Sequence, residues 1–231
     1  MAGGFQRQTF KFVRKIRTEA QLARTPLAPA CDYIRHMQKR FEYCVPKVAQ
    51  VVPTGRDWLH EIKYDGYRGR IERDGDRVRL LSKSGLDWAW RYPLIVETAL
   101  KLRSKHFTID GEIVVLDESG VSDFDALHAN RNNAAARFYA FDCMALAGDD
   151  LRELPLFERK DRLARLMRNE AAGIFVATYE SGEIGPDLFK AACKMGLEGI
   201  VSKHRERWYR PRTCDWRKVK NRTHPAFSRE F

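Results

Sequence analysis

No two of the five cysteines, Cys31, Cys44, Cys143, Cys193 and Cys214, stand in a Cys-x-x-Cys spacing, and their number is odd. That argues against a disulfide framework or a zinc site and for a reducing compartment. Long apolar runs are missing too, since none approaches the roughly 20 residues of a membrane-spanning helix. The start, Met1-Ala2-Gly3-Gly4-Phe5, lacks the apolar segment of a secretory signal, so the expected location is the cytoplasm, at the nucleoid. Acidic residues are in deficit: 42 Lys and Arg stand against 31 Asp and Glu, a formal +11 over 231 residues. Such a surplus draws polyanions, nucleic acid above all. It is concentrated from Lys11 to Arg24 and from Lys203 to Arg222. Internal repeats and low-complexity segments are absent.

What is present alternates between strand and helix signals without strict β-α-β order, which predicts an α+β architecture. Trp58 to Lys63, Tyr67 to Arg73 and Arg77 to Ser82 read as strands, with Asp74-Gly75 turning between the last two. Pro93 opens a helix through about Lys105, and Phe107 to Asp110 and Glu112 to Leu116 form a strand pair. Asp123 to Asn130 is a short helix, Arg137 to Met144 a strand, and Leu156 to Arg168 an amphipathic helix with Leu163, Leu166 and Met167 on one face. Gly185 to Met195 is a helix stopped by Gly196, and Gly199 to Lys203 and Asp215 to Lys220 are the last strands.

The most informative stretch is Glu61-Ile62-Lys63-Tyr64-Asp65-Gly66-Tyr67-Arg68. It sets a lysine at the end of a strand, just before a turn, where its amine can be partly desolvated. Only a neutral amine attacks, and an ordinary lysine is neutral about one time in a thousand near neutral pH, so a nucleophilic Lys63 needs surroundings that depress its pKa. Four fixed positions, Lys-x-Asp-Gly-x-Arg, make a chance match rare in a chain of this length.

Lys63-x-Asp65-Gly66-x-Arg68 resembles the signature of the covalent nucleotidyltransferases: ATP-dependent DNA ligases, RNA ligases and mRNA capping enzymes. The wider run from Trp58 is most similar to bacterial ATP-dependent DNA ligases of the end-joining type. The resemblance covers roughly residues 46 to 222. It implies the ligase and capping-enzyme nucleotidyltransferase fold, ATP-grasp-like, with antiparallel sheets flanked by helices. It also implies ATP and Mg²⁺ (or Mn²⁺) as cofactors, and Lys63 as the residue that takes AMP.

The family's other motifs follow in order. In Asp110-Gly111-Glu112 the glutamate, Glu112, is expected at the ribose hydroxyls or the metal, although Asp-Gly between two strands is also a common hairpin turn. In Phe138-Tyr139-Ala140-Phe141-Asp142 the resemblance makes Phe141 the ring that stacks on adenine, and alternation puts it on the side of Tyr139, opposite Phe138 and Ala140. In Glu198-Gly199-Ile200-Val201-Ser202-Lys203 it assigns Glu198 to the divalent ion. In Trp216-Arg217-Lys218-Val219-Lys220, period two sets Lys218 and Lys220 on one face, expected to hold the α-phosphate and help depress the Lys63 pKa. Arg68 is expected at the ribose or the 5′-phosphate of a nick. Glu61 shares the strand face of Lys63 and is expected to accept from the adenine amino group, favouring ATP over GTP; Ile62 between them counts among the nucleotide-binding residues.

The chain departs from the family in two places. Lys83-Ser84-Gly85 stands where Arg-Asn-Gly is usual, which keeps the charge for nucleotide binding but loses the planar fork of arginine. Only Asn221 to Phe231 follow the closing motif, too few for the OB-fold domain that ligases of this family carry there. The expected organisation is a basic N-terminal extension over 1–45, an adenylation domain over 46–222 and a tail over 223–231, either an adenylation domain alone or a piece of a longer protein. The expected substrate is nicked double-stranded DNA in repair, with repair proteins as possible partners, no membrane and a monomeric state. An RNA ligase, a capping-type transferase or a non-ligating DNA-binding module are the alternatives.

Overall fold

The computed structural model describes residues 41–168 and 172–229, so most of the expected N-terminal extension lies outside the described residues. Two sheets dominate. The first runs β4 (Arg77–Ser82), β3 (Tyr67–Asp74), β5 (His106–Val114), β6 (Arg137–Leu146), β7 (Asp149–Asp150), all antiparallel, with β8 (Ile174–Val176) added parallel to β6. The second runs β1 (Lys47–Val48), β11 (Trp216–Lys220), β10 (Gly199–His204), β2 (Trp58–Ile62), β9 (Tyr179–Ser181), antiparallel apart from β1. Among the described residues the α-helices are α1 (Pro93–Lys101), α2 (Phe124–His128), α3 (Leu156–Leu166) and α4 (Gly185–Lys194). None is long and apolar enough to cross a membrane.

Period two decides which face of the first sheet is core. Ile71, Ile109, Ile113, Phe138, Ala140 and Cys143 are buried on one face with Ile95 and Ala99 of α1 and Leu163 of α3. The alternate positions, Arg68 and Arg70 opposite Glu112 and Asp110, form the other face. That polar face meets the second sheet, as Tyr209 and Trp216 packing with Phe141 and Met144 shows. The outer face of the second sheet is covered by α4, with Ile62, Ile200, Val219 and Ala192 as its core.

Local signals place the element ends. Pro93 begins α1, the Asp123 carboxylate accepts from the Ala126 amide at 2.8 Å at the start of α2, and Gly196 follows α4. Helix α1 stops at Lys101, short of the expected Lys105, because Leu102 is already extended.

The expected pair Phe107–Asp110 and Glu112–Leu116 is a single strand, His106–Val114. Gly111 does not turn there. It lies beneath the Phe138 ring, where a Cβ would come within 2.4 Å of Phe138 Cε1 and 2.6 Å of the Tyr139 carbonyl oxygen. The glycine permits close packing between β5 and β6.

The segment after β11 packs against the domain. Lys220 Nζ donates to the Ala226 carbonyl at 3.0 Å, and Arg229 Nη1 donates to both oxygens of Asp65 at 2.9 and 3.0 Å.

Candidate active site

The cleft between the two sheets has a charged end and a deep aromatic end. At the charged end, the Lys63 amide donates to the Gly199 carbonyl at 2.9 Å, so the residue stays tethered to β10 just past the end of β2. Its Nζ lies 2.6 Å from Glu198 Oε2, with Glu198 only 4% exposed. Lys220 Nζ lies 3.6 Å from the other Glu198 oxygen. Gly199 follows with φ +142°, and a Cβ there would meet the Val219 carbonyl at 2.1 Å, so glycine alone lets β10 begin this close to β11 with Glu198 turned into the cleft.

Lys218 shares this end. Burial lowers its pKa first, and the neighbouring Lys63, Lys220 and Lys83 ammonium groups lower it further, against the pull of Glu198. Lys83 itself is exposed in the turn after β4. Glu112 faces the same group: burial pushes its carboxyl up to about 7, Lys63 and Arg68 pull it down, and Glu198 and Asp110 add like charge. Four ammonium groups thus gather around two carboxylates, a surplus of positive charge that suits a polyanion. Among the described residues no cluster of three or more His, Cys, Asp or Glu could hold a metal ion.

At the deep end Glu61 is 3% exposed and sits between two buried lysines. Lys203 Nζ donates to Oε2 at 2.7 Å, and Lys160 Nζ of α3 lies 2.6 Å from Oε1. The Lys160 contact is an ion pair out of hydrogen-bonding alignment, so Oε1 accepts no hydrogen bond. Lys160 donates instead to the Phe141 carbonyl at 3.1 Å. The Lys203 ammonium lies 4.0 Å from the Phe141 ring centre and 4.2 Å from that of Trp216, and burial lowers it to about 8 against the attraction of Glu61. Nearby, Tyr64 stacks on Tyr139 at 4.2 Å. Tyr139 and Phe141 are both partly open while Phe138 and Ala140 are buried, as alternation predicts.

Lys63, Glu61, Glu112, Phe141, Glu198, Lys218 and Lys220 therefore line one cleft, with Lys83 at its edge. Two expected residues sit differently. The Ile62 side chain belongs to the core on the outer face of the second sheet, leaving only its backbone toward the cleft. Arg68 is committed internally: Nε and Nη2 donate to the two oxygens of Asp110 at 3.1 and 2.6 Å, and Nη1 to the Cys44 carbonyl at 2.6 Å. Asp110 also accepts from the Tyr209 hydroxyl at 2.7 Å. Asp110 and Asp142 stand inside motifs that are legible in the sequence but have no assigned role there, and Tyr209, Lys160 and Arg159 carry no sequence signal. A cavity of about 400 Å³ lined by Glu206, Arg207, Trp208, Arg210 and Thr213 lies between β10 and β11 and includes none of the expected site residues.

Residues 26–220 match the family model described as the ATP dependent DNA ligase domain. The chain is 37% identical over 187 residues to the multifunctional non-homologous end joining protein LigD of Pseudomonas aeruginosa, an alignment covering 78% of this chain and 22% of that protein. It is 30% identical over 203 residues to the bifunctional non-homologous end joining protein LigD of Bacillus subtilis, covering 76% and 33%. A solved structure of mycobacterial DNA ligase D complexed with ATP and MES superposes with a TM-score of 0.67 at 32% identity, over 77% of this chain and 59% of that one. The Chlorella virus DNA ligase-adenylate shares the fold, with a TM-score of 0.55 at 17% identity over 78% of this chain and 68% of that one. The chain spans less than two thirds of these curated relatives.

Proposed function

This chain belongs to the ATP-dependent DNA ligase domain family, and from that premise we propose that it is the adenylating part of a ligase acting on nicked double-stranded DNA in repair. Lys63 attacks the α-phosphorus of ATP, the bond to the β-phosphate breaks, and pyrophosphate leaves behind a lysine–AMP phosphoramidate. AMP then passes to the 5′-phosphate of the nick, and the 3′-hydroxyl displaces it to close the strand. The adenylation domain is taken as 46–222, with the packed segment to Arg229 as part of its body.

The observation that carries this reading is the Lys63 amine at 2.6 Å from Glu198, inside a group that also holds Lys218, Lys220 and Glu112. The residues divide the work along the cleft. Phe141 offers its ring to the base and Glu61 an acceptor to the amino group, while Lys83, Lys218 and Lys220 hold phosphate oxygens and stabilise the charge that grows as the bond to pyrophosphate breaks. The Lys63–Glu198 ion pair has to open, with loss of the ammonium proton, before the lone pair can attack.

Glu112 and Glu198 offer two carboxylates, and among the described residues no cluster of three potential metal ligands is found; that fits a hard divalent ion that keeps waters and takes phosphate oxygens as its remaining ligands. Mg²⁺ or Mn²⁺ held there would neutralise phosphate charge. Intact-mass measurement after incubation with ATP and Mg²⁺ tests the proposal. One added AMP, lost in Lys63→Ala, is expected; no adduct on the parent protein sinks it.

A further inference from the structure

Glu61 is the one carboxylate at the aromatic end of the cleft whose two oxygens are held differently. Oε2 accepts a hydrogen bond from Lys203, whereas Oε1 is ion-paired to Lys160 yet accepts no hydrogen bond. A carboxylate oxygen has two lone pairs, so the close Lys160 ion pair leaves Oε1 room to accept from a donor that arrives with a ligand. Lys160 reaches the site from α3 and is 3% exposed as a residue. Through its bond to the Phe141 carbonyl it also ties this acceptor to the strand that carries the stacking ring.

We infer that Lys160 is a specificity-determining residue, which holds the Glu61 carboxyl in a fixed orientation as an acceptor and so selects adenine over guanine. The inference rests on the proposed contact between Glu61 and the purine 6-position. An ionised carboxylate is acceptor-only. Adenine presents an amino donor at that position, and guanine presents a carbonyl, which Oε1 would repel. With Lys160 gone, Glu61 keeps only Lys203 as a cation partner. A carboxyl free to rotate turns Oε1 away and no longer refuses the guanine carbonyl.

Equilibrium binding of ATP and GTP to the full chain, without divalent ion and read by quenching of tryptophan fluorescence, provides the test. The parent protein should prefer ATP, and Lys160→Met should lower the ATP:GTP affinity ratio about tenfold, the scale of one hydrogen bond to a charged acceptor. Lys160→Gln, which keeps a donor for the Phe141 carbonyl without the charge, should do the same and serves if the methionine variant does not fold. Lys160→Arg should retain the ratio. A purely structural lysine would weaken both nucleotides equally, and that result, or an unchanged ratio in either neutral variant, overturns the inference. Absence of ATP preference in the parent protein overturns it as well. Glu61→Gln separates the two levels. If it collapses the ratio while the Lys160 variants do not, only the role of Lys160 fails; if it leaves the ratio intact, the adenine-facing reading of Glu61 fails first.

Discussion

Arg159→Met should be among the most damaging single substitutions in the domain. Arg159 and Asp142 are both fully buried, with Nε and Nη2 donating to the two carboxylate oxygens at 2.7 and 2.9 Å. Nη1 donates to the Leu154 carbonyl at 2.6 Å and the Arg207 carbonyl at 3.0 Å. Methionine fills much of the volume but leaves the fully buried Asp142 carboxylate without its ion-pair partner, with the Cys143 amide at 2.9 Å as its remaining hydrogen-bond donor among the described residues. Breaking a buried pair this way costs about 3–5 kcal/mol, and the two orphaned carbonyls push the figure toward the upper end. In a chain of this size that corresponds to a fall in Tm of roughly 6–20 °C. Urea unfolding with the midpoint and slope fitted separately, together with calorimetry, measures it. The double variant Arg159→Met/Asp142→Leu should recover most of the loss, because the cost lies in the unpaired charge. A loss below about 1 kcal/mol, or a double variant no more stable than the single, would refute the reasoning.

Gly111→Ala should destabilise the fold by about 1–3 kcal/mol, since its methyl has nowhere to go between Phe138 and the Tyr139 carbonyl, and adenylation should fall because Glu112 is the next residue. Thermal melting checks it; an unchanged Tm would mean that β5 and β6 separate freely. Lys203→Met should remove a pH dependence. Burial holds Lys203 at about 8, among Glu61, Lys160 and Asp142, so between there and the usual lysine value the unfolded chain binds a proton that the folded one has released. Its contribution to stability therefore rises with pH across that window, by up to about 1.4 kcal/mol per pH unit. Denaturant titrations across the window should show a flatter profile for Lys203→Met, and parallel profiles would contradict the assignment.

What could be read from the sequence was what local rules decide. Pro93, Asp123 and Gly196 mark helix ends with chemistry carried by the residue itself, and the long strands announce themselves by period two. Strands of two or three residues such as β7, β8 and β9 have no period to detect and exist because a neighbour offers its edge. Asp110-Gly111 shows the limit more sharply. The same dipeptide makes a hairpin turn or a flat, Cβ-free strand position, and Phe138 on the adjoining strand decides between them.

The site divides along the same line. Lys63, Glu112, Glu198, Lys218 and Lys220 were found through motif spacing, which gives residue identity and strand face, and they do meet. Spacing is silent about which partner a charge takes. Arg68 spends its guanidinium on Asp110, 42 residues away, and Glu61 is held by lysines that no motif links to it as partners. A buried carboxylate must be paired, and its partners fix which lone pairs remain for a ligand. The placing of Oε1 therefore follows from where α3 puts Lys160 as much as from Glu61 itself, and the base preference inferred for the cleft would be a property of the tertiary structure that the Lys-x-Asp-Gly-x-Arg segment cannot carry alone.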